Sequence, residues 1–468
     1  MKRNKKLITA AVALTVVLAI LLVTAVSLTG REKAPEPPTL QTQPSIGTDP
    51  TQIQTDPPTD PPTEPPTEPP ITKIATATIS SVGDMLMHKP VFNSCYNSAT
   101  GEYELDMVFN YIYHYFNDAT LAVGNLETTL AGADFVHYNG DVGYSGYPQF
   151  NCPDSIIDAM KYTGFDVVLT ANNHTNDTGS FGLHRTLEII QDRELAHLGT
   201  RLDPETPEYI IADCNGIKVG LLCYTYEDSE PGSGNAALNG HRLTDEDMKL
   251  VSYFDTDDLP GFYADVAENM AAMEAEGAEA IMLYLHWGEE YETTPNSTQK
   301  TMAQELCNLG VDVIIGGHPH VVQPVQLLTS ANDENQKTLC VYSVGNAISN
   351  QRLGAISYVH TAHTEDGLMF NVTFAKYSDG TVIIESAQAL PTWVNKCYDE
   401  NWKTRYYILP LDTAVEDWKT AFDLTDSILA QAEASYERTM ALVGAGMEEA
   451  DAYYAAHQQQ VEELLGVQ

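Results

Sequence analysis

Short apolar runs alternate with amphipathic stretches along most of this chain, from Ile74 to about Leu390. The short runs predict buried strands, and the stretches between them have apolar residues at helical spacing. Strands that alternate with helices in this way are typical of an α/β fold. The predicted strands are 75–82, 119–123, 165–170, 280–285 and 311–315, and the predicted helices are 103–116, 155–161, 181–194, 262–276 and 297–309.

A hairpin is predicted in the middle of this region. Asn215-Gly216 separates two strand-like segments, 209–213 and 218–224, and this dipeptide favours the tight turn of a β-hairpin. Three later segments, 338–343, 368–374 and 381–387, are also expected to pair as hairpins. The strands therefore predict a mixed sheet or two stacked sheets.

The two ends of the chain have other compositions. Residues 31–72 repeat Asp-Pro-Pro-Thr and Glu-Pro-Pro-Thr, and proline at this density favours an extended polyproline II spacer. Residues 396–468 have Ala, Glu and Gln at helical spacing, over 414–436 and 447–465, and predict a small helical appendage. We therefore divide the chain into segments 1–30, 31–72, 73–395 and 396–468.

The first 30 residues have the features of a membrane anchor. A basic head precedes an uncharged apolar run from Leu7 to Leu28. A helix of that length spans about 33 Å, against roughly 30 Å of bilayer hydrocarbon. The positive-inside rule keeps the head cytoplasmic and exports the rest. The alternative is a cleaved signal peptide, because Ala25-Val26-Ser27 resembles a cleavage site. Both predict an exported protein.

Charge and missing motifs narrow the function. The chain has 468 residues and a formal charge of −41, and without the four cations of residues 1–30 it has −45. Such an acidic domain repels nucleic acid, so we expect no nucleic-acid partner. The chain has no phosphate-binding glycine loop and no Gly-x-Ser-x-Gly motif, which argues against a nucleotide-driven ligase or a serine hydrolase. Seven cysteines without paired CxxC spacing argue against a zinc–thiolate site.

Candidate metal ligands follow the predicted strands. In an open α/β sheet, ligands bind beyond the carboxyl ends of the strands, so distant residues can converge there. Asp, Glu, Asn and His at such ends are the donors of a divalent-metal centre. The six segments are Gly83-Asp84, Gly124-Asn125-Leu126-Glu127, Asn172-Asn173-His174, His286-Trp287-Gly288, Gly317-His318-Pro319-His320 and Gly345-Asn346.

Each candidate ligand has a structural alternative when it is taken alone. Asp84 follows Gly83 and could belong to a turn, and Glu127 could be a carboxylate at a helix N-terminus. His286, at the end of an apolar strand, could be an interior residue. The two imidazoles of His318 and His320, after two glycines, suit ligation of two neighbouring metals and are the strongest single indication.

Four further side chains are candidates for other roles. His174, beside the asparagines, could donate a proton to a leaving group, and Asp177 could either orient that imidazole or cap a helix. Asn346 could contact substrate or cap a turn. Arg352 could pair with an anionic group or lie on the surface.

Together these motifs resemble the CapA family of poly-γ-glutamate capsule synthesis proteins, over roughly residues 76–350 and in the family's order. The family is related to the calcineurin-like metallophosphoesterases. The resemblance therefore implies a four-layer α/β/β/α sandwich with a two-metal site. The matching segments are Gly83-Asp84-Met85-Leu86, Asn125-Leu126-Glu127, Asn172-Asn173-His174 with Asp177 and Gly179, His286-Trp287-Gly288 with Glu290-Tyr291, Gly317-His318-Pro319-His320-Val321-Val322-Gln323 and Ser343-Val344-Gly345-Asn346.

The resemblance also implies roles for individual residues. Asp84 and His320 would hold one metal and Glu127 would bridge two, while Asn173, His286 and His318 would hold the second and His174 would be the proton donor. Apart from the resemblance, Asp177 is a candidate to orient His174, and the substrate-binding candidates are Asn125, Asn346 and Arg352. Two positions depart from the phosphoesterase pattern. Leu86 replaces a histidine, with His88 two residues further on, and Glu127 stands where an aspartate is usual.

These observations lead to one functional expectation and two alternatives. We expect an anchored extracellular protein with two divalent ions (Mn, Fe, Zn or Mg), acting on an anionic surface polymer such as poly-γ-glutamate or on a phosphoester. Polymer synthase subunits are candidate partners. The first alternative is a non-catalytic scaffold that binds polymer or synthase. The second is an exported phosphoesterase unrelated to capsule.

Overall fold

Two β-sheets packed face to face form the centre of the computed structural model, which describes residues 71–229 and 234–466. The strands, in chain order, are β1 (Lys73–Met85), β2 (Tyr96–Asn97), β3 (Glu102–Tyr103), β4 (Leu121–Leu126), β5 (Val167–Leu169), β6 (Ala196–Leu198), β7 (Tyr209–Cys214), β8 (Ile217–Tyr226), β9 (Ala237–Leu238), β10 (His241–Arg242), β11 (Tyr253–Phe254), β12 (Ala280–His286), β13 (Val313–Gly317), β14 (Val325–Thr329), β15 (Lys337–Val341), β16 (Asn346–Ile348), β17 (Asp366–Tyr377), β18 (Val382–Tyr398) and β19 (Thr404–Pro410).

The first sheet has eight strands in the order β19-β18-β17-β1-β4-β5-β6, with β16 paired to β1. The second has seven, in the order β11-β8-β12-β13-β15-β14, with β7 paired to β8. Strands β2 and β3, and likewise β9 and β10, form separate two-stranded ribbons. In the first sheet β1, β4, β5 and β6 are parallel, and β17, β18 and β19 continue the sheet in antiparallel pairs. In the second, β11, β8, β12, β13 and β15 are parallel, and β14 and β7 pair antiparallel with β15 and β8.

Helices cover the outer face of each sheet. The α-helices are α1 (Lys89–Ser94), α2 (Tyr113–Asn117), α3 (Ser155–Thr163), α4 (Gly179–Asp192), α5 (Leu259–Ala275), α6 (Ser297–Leu309), α7 (Trp418–Ala421) and α8 (Asp426–Leu465). Helices α3 and α4 pack on the first sheet through Ile157 and Leu187, and α5 and α6 pack on the second through Val266 and Leu306. The fold is therefore the expected four-layer α/β/β/α sandwich.

An apolar core fills the space between the sheets. Ile79 and Val123 of the first sheet meet Val219 and Met282 of the second in one buried cluster. Both faces of these strands are covered, which explains why their sequences are almost continuously apolar. A buried hydrogen bond of 3.0 Å joins the hydroxyls of Ser81 and Tyr284 across the core. This polar contact fixes one point of the sheet-to-sheet alignment.

Parallel strands bring their carboxyl ends to one edge of the sandwich. β4 runs parallel to both β1 and β5 in the first sheet, and β12 runs parallel to β13 in the second. The segments that follow these strands contain the polar motifs found in the sequence. The fold therefore delivers residues from two sheets to a common edge, as expected for ligand sites in α/β proteins.

Most predicted elements are present, with boundaries shifted by a few residues. Helix α6 begins and ends as predicted, and the hairpin at Asn215-Gly216 is confirmed, with φ of 56° and 85° at these two residues. The long helix predicted at 103–116 is wrong. That segment has a strand residue, a 3-10 turn at Leu105–Phe109 and the start of the short helix α2.

The C-terminal region also differs from the prediction. β18 crosses the boundary placed at residue 396, and β19 completes the edge of the first sheet before the helical part begins. The helix α8 is one continuous helix of 40 residues instead of two. It lies against β18 and β14, and thus across the edges of both sheets. Arg438 of α8 bonds the buried Asp366 at 2.9 and 2.7 Å.

The predicted N-terminal membrane helix and the proline-rich spacer up to residue 70 lie outside the described residues. Between residues 71 and 466, apart from 230–233, no helix has both the length and the apolar character needed to cross a bilayer.

Two glycines of α8 test how closely this helix packs. A Cβ at Gly446 would lie 1.9 Å from the backbone oxygen of Val325, whereas a Cβ at Gly444 would meet only the Met440 side chain, at 3.9 Å. We expect Gly446→Ala to destabilise the protein by about 1–3 kcal/mol through overpacking. Gly444→Ala is the matched control and should stabilise by about 0.5–1 kcal/mol, since alanine favours a helix. Urea unfolding measures both, and equal effects would contradict this docking of α8.

Candidate metal centre

Asp84 is the first group of the site and is held at the end of β1. Its oxygens accept hydrogen bonds from the Asn125 side chain (2.8 Å) and from the backbone N–H of His318 (3.0 Å). Glycines allow this approach: a Cβ at Gly83 would lie 1.8 Å from the Gly345 oxygen, and one at Gly317 would lie 2.8 Å from Asp84. Burial opposes ionisation of Asp84, but the neighbouring His320 and His286 hold its pKa below the usual range.

Glu127 lies at the centre of the site, one residue beyond β4. It is completely buried, and neither carboxylate oxygen has a hydrogen-bond partner among the described residues. The Oε1 atom lies 3.5 Å from His286 Nε2, 3.7 Å from His320 Nε2 and 3.9 Å from His174 Nε2. Burial, together with the charge of Asp84, raises the pKa of Glu127 to about 8. A buried carboxylate in this state requires a cation or a proton.

His286 and His318 form one side of the site with Asn173. His286 Nε2 lies 2.9 Å from Asn173 Oδ1 and 3.2 Å from His318 Nδ1. The Tyr226 ring packs against both imidazoles, with centroids 6.4 and 4.8 Å away. Burial lowers the pKa of His286 to about 3 and that of His318 well below its usual value. Both rings are therefore neutral, which is the state that binds a metal.

His320 is positioned by an unusual backbone. His318 and His320 have φ of 92° and 56°, a region that residues other than glycine seldom adopt. The side chain of Asn346 donates a hydrogen bond of 3.2 Å to the His320 carbonyl and so holds this segment. Such strain persists where surrounding structure enforces it, commonly at functional sites. Burial opposes protonation, but Glu127 and Asp84 raise the pKa of His320 to about 9.

His174 faces the same cavity from the loop after β5. Its Nδ1 lies 2.8 Å from Asp177 Oδ2, which leaves Nε2 directed towards Glu127. Asp177 is fixed in turn by the backbone N–H of Phe150 (2.6 Å) and by the Asn239 side chain (3.0 Å). Burial disfavours the imidazolium, but Asp177 outweighs burial and raises the pKa of His174. The Asp177 carboxylate therefore favours the protonated form of this imidazole.

The donors form two groups that share Glu127. Asp84, Glu127 and His320 can direct ligand atoms to one point, and Glu127, His286 and His318 to a second. Glu127 belongs to both groups, and a carboxylate can bind two ions at once because it has two oxygens. Nitrogen and oxygen donors of this kind suit first-row divalent ions or Mg²⁺. The residues present therefore fit a metal centre.

The three predicted substrate-binding side chains are all buried and bonded to protein groups. Asn125 links Asp84 to the Asn172 side chain (3.0 Å), and Asn346 bonds Gln351 and backbone oxygens. The guanidinium of Arg352 forms a buried ion pair with Glu365. Arg352 is therefore not a surface residue. Its guanidinium is paired with a protein carboxylate and is not open to solvent. A direct contact of these residues with substrate stays a prediction.

The structure brings three further residues to the site: the sequence motifs included Glu290 and His88 without a role, and Asn239 was missed. Glu290 forms a third group with His318 and His320, and its side chain is 41% exposed. Asn239 orients Asp177 from a distant turn, and the buried Nε2 of His88 has no hydrogen-bond partner among the described residues. The motif around Glu290 offered a signal, since it follows His286 by four residues. Asn239 offered none, because its turn follows no predicted strand.

Comparison with known proteins identifies similar proteins of capsule and PGA synthesis. A family model described as bacterial capsule synthesis protein PGA_cap matches residues 78–351. The capsule biosynthesis protein CapA of Bacillus anthracis is 25% identical over 276 residues, 58% of this chain and 60% of that protein. The PGA biosynthesis protein CapA of Bacillus subtilis (strain 168) is 24% identical over 363 residues, 74% of this chain and 82% of that protein. The chain thus spans less than two thirds of the first relative.

Among solved structures, the Thermus thermophilus sulfate thiohydrolase SoxB in complex with glycerol matches with a TM-score of 0.34 and 14% identity. The match covers 80% of this chain and 61% of that one.

Metal binding should release protons, because Glu127 and His320 hold them with pKa values of about 8 and 9. We expect the affinity for Mn²⁺ to rise from pH 6 to pH 9, with about two protons released on binding. Glu127→Gln should weaken binding at least about tenfold and release about one proton fewer. Calorimetry in buffers of different ionisation enthalpy measures both quantities. Glu292→Gln, on the exposed neighbouring loop, is the control, and pH-independent binding would contradict the assignment.

Proposed function

This chain belongs to the bacterial capsule synthesis protein PGA_cap family, and from that premise we propose that it is a membrane-anchored extracellular enzyme with a dinuclear metal site. It acts on an anionic linkage during the biosynthesis of a surface polymer. The observation that supports this most directly is the sharing of the buried, unpartnered carboxylate of Glu127 between two sets of metal donors.

In this proposal each ion has its own ligands. Asp84 and His320 would hold one ion, and His286, His318 and Asn173 would hold the other, with Glu127 belonging to both donor groups. When bound, the two divalent ions supply Lewis-acid chemistry, which activates water and polarises the scissile group. Glu290 is partly exposed beside His318 and His320, and its carboxylate would be a further donor.

His174 acts as the general acid. Its Nε2 faces the metal donors, and its Nδ1 is committed to Asp177, so the proton available for transfer lies on Nε2. Asp177 keeps the imidazole protonated and oriented. The leaving group receives the proton from Nε2 when the linkage breaks.

The net charge of the chain supports the proposal that an anionic substrate binds at the metal site. A chain with a net charge of −41 attracts an anion only where bound cations reverse the local field. The names of the two relatives refer to capsule and PGA biosynthesis, so a capsule polymer is the first candidate. A phosphoester in the same process fits the metal site equally well.

The location outside the cell is supported by the sequence. An apolar run long enough to span a bilayer precedes the proline-rich spacer, and the basic head orients the chain outward. Polymer synthase subunits in the same membrane are the proposed partners.

The general-acid role of His174 can be tested in the metal-loaded protein. The test substrate is a dialkyl phosphodiester such as glycerophosphocholine, because its alkoxide leaving group needs a proton. With Mn²⁺ and this substrate, His174→Ala should lower kcat by about 10²–10⁴-fold with metal content unchanged. Asp177→Asn should move the alkaline limb of the kcat–pH profile to lower pH, because Asp177 raises the pKa of His174. Metal analysis and steady-state rates measure these effects. Bound metal without turnover in the wild type would instead favour the non-catalytic scaffold.

A further inference from the structure

Tyr291 reaches the metal centre although it is not one of the metal donors. Its ring centroid lies 6.3 Å from that of His320, and the carboxylate of the preceding Glu290 lies 3.9 Å from His320 Nε2. Neighbouring side chains of an extended chain point to opposite sides, but Tyr291 has φ of 68°, in the left-handed region. The turn that this backbone makes therefore brings both side chains to the same imidazole.

The backbone of Tyr291 contacts the histidine segment directly. Its N–H donates a hydrogen bond of 2.8 Å to the carbonyl of Pro319. Pro319 lies between His318 and His320, whose φ values of 92° and 56° are kept only where surrounding structure enforces them. Tyr291 thus joins the loop after β12 to the segment after β13, directly beside His320.

The side chain of Gln351 holds the other end of Tyr291. Its amide nitrogen donates to the Tyr291 hydroxyl at 3.1 Å, and its amide oxygen accepts from the side chain of Asn346 at 3.0 Å. Asn346 also donates to the His320 carbonyl at 3.2 Å, and Gln351 is buried. The contacts therefore form a closed ring, which runs from His320 through Asn346, Gln351, Tyr291 and Pro319.

The hydrogen bonds of this ring have a fixed direction. An amide nitrogen can only donate, so Asn346 bonds the oxygen of Gln351, and the nitrogen of Gln351 donates to the phenol oxygen. The hydroxyl hydrogen of Tyr291 is then left for another acceptor. The carboxylate of Glu290 interacts with this hydroxyl as a hydrogen-bond acceptor. Gln351 therefore directs the hydroxyl hydrogen of Tyr291 towards Glu290.

We propose that Tyr291 and Gln351 are positioning residues of the metal centre. Tyr291 holds the His320 segment through its backbone and the Glu290 carboxylate through its hydroxyl, and Gln351 fixes the direction of that hydroxyl. Groups that hydrogen-bond to metal ligands orient them, and their removal lowers metal affinity. The inference rests on the metal site of the proposed function and extends that site to two residues that bind no ion.

Tyr291→Phe tests the hydroxyl alone, because the ring and the backbone N–H remain. Calorimetry of the full chain with Mn²⁺ should show about tenfold weaker binding in this variant. The visible absorption of the Co²⁺-loaded variant should also change, because it reports the geometry of the ligands. Tyr358→Phe is the matched control and should change neither. The Tyr358 ring lies 6.3 Å from that of Tyr291, and its hydroxyl forms no hydrogen bond with any described residue.

Gln351→Met tests the second residue, since methionine has a similar length but cannot donate to the phenol oxygen. It should also weaken Mn²⁺ binding. The double variant of Tyr291→Phe and Gln351→Met should lose much less affinity than the product of the two single losses, because both changes act through one hydrogen bond. Urea unfolding of the metal-free proteins is the check on folding, and the midpoint of Tyr291→Phe should lie close to that of Tyr358→Phe.

The outcomes separate this inference from the proposed function. Unchanged Mn²⁺ affinity and Co²⁺ absorption in Tyr291→Phe would overturn the positioning role, while turnover of glycerophosphocholine by the wild type would leave the enzyme intact. A lower urea midpoint with unchanged Co²⁺ absorption would assign Tyr291 to folding alone and also overturn it. Weaker binding with changed absorption, in a wild type without turnover, supports the positioning role and rejects the catalytic proposal. Losses that multiply in the double variant contradict the link through Gln351.

Discussion

The buried carboxylate of Glu127 is the constraint on which the site depends. An ionised carboxylate without hydrogen-bond donors is strongly disfavoured inside a protein, and here three imidazoles surround it instead of the usual donors. Burial raises the pKa of Glu127, and the carboxylates of Glu127 and Asp84 raise that of His320 against the effect of burial, so both groups favour their protonated forms. A divalent ion removes the same penalty and leaves the donors ready to bind. Metal ligation therefore explains the arrangement of Glu127 and its three imidazoles better than a contribution to folding stability does.

The fold supplies this arrangement by bringing two sheets to one edge. Asp84, Glu127 and Asn173 follow strands of the first sheet, whereas His286 and His318 follow strands of the second. Because each sheet contributes only part of the donor set, the site exists only where the sandwich is closed. Interior packing is dense and resists small shifts, so the apolar core also fixes the distances between donors from different sheets.

Charge divides the surroundings of the site into two environments. The metal donors create a place for cations and hence for an anionic group, while a cleft with His318 in its wall has aromatic faces, hydroxyls and one carboxylate. An acidic protein can use bound ions to hold an anion at one point and still exclude anions elsewhere.

The sequence alone determined the α/β alternation, most helices and strands, and the identity of the strand-end donors. These follow from local periodicity and from the rule that ligands bind at strand ends, which need no knowledge of packing. The structure alone decided which ends meet, since contact between β1, β12 and β13 depends on how two separate sheets stack. It placed Arg352 in an ion pair with Glu365, extended the first sheet through β19 and recruited Asn239 from a distant turn. Local patterns cannot predict such contacts, because their energies arise between residues far apart in the chain.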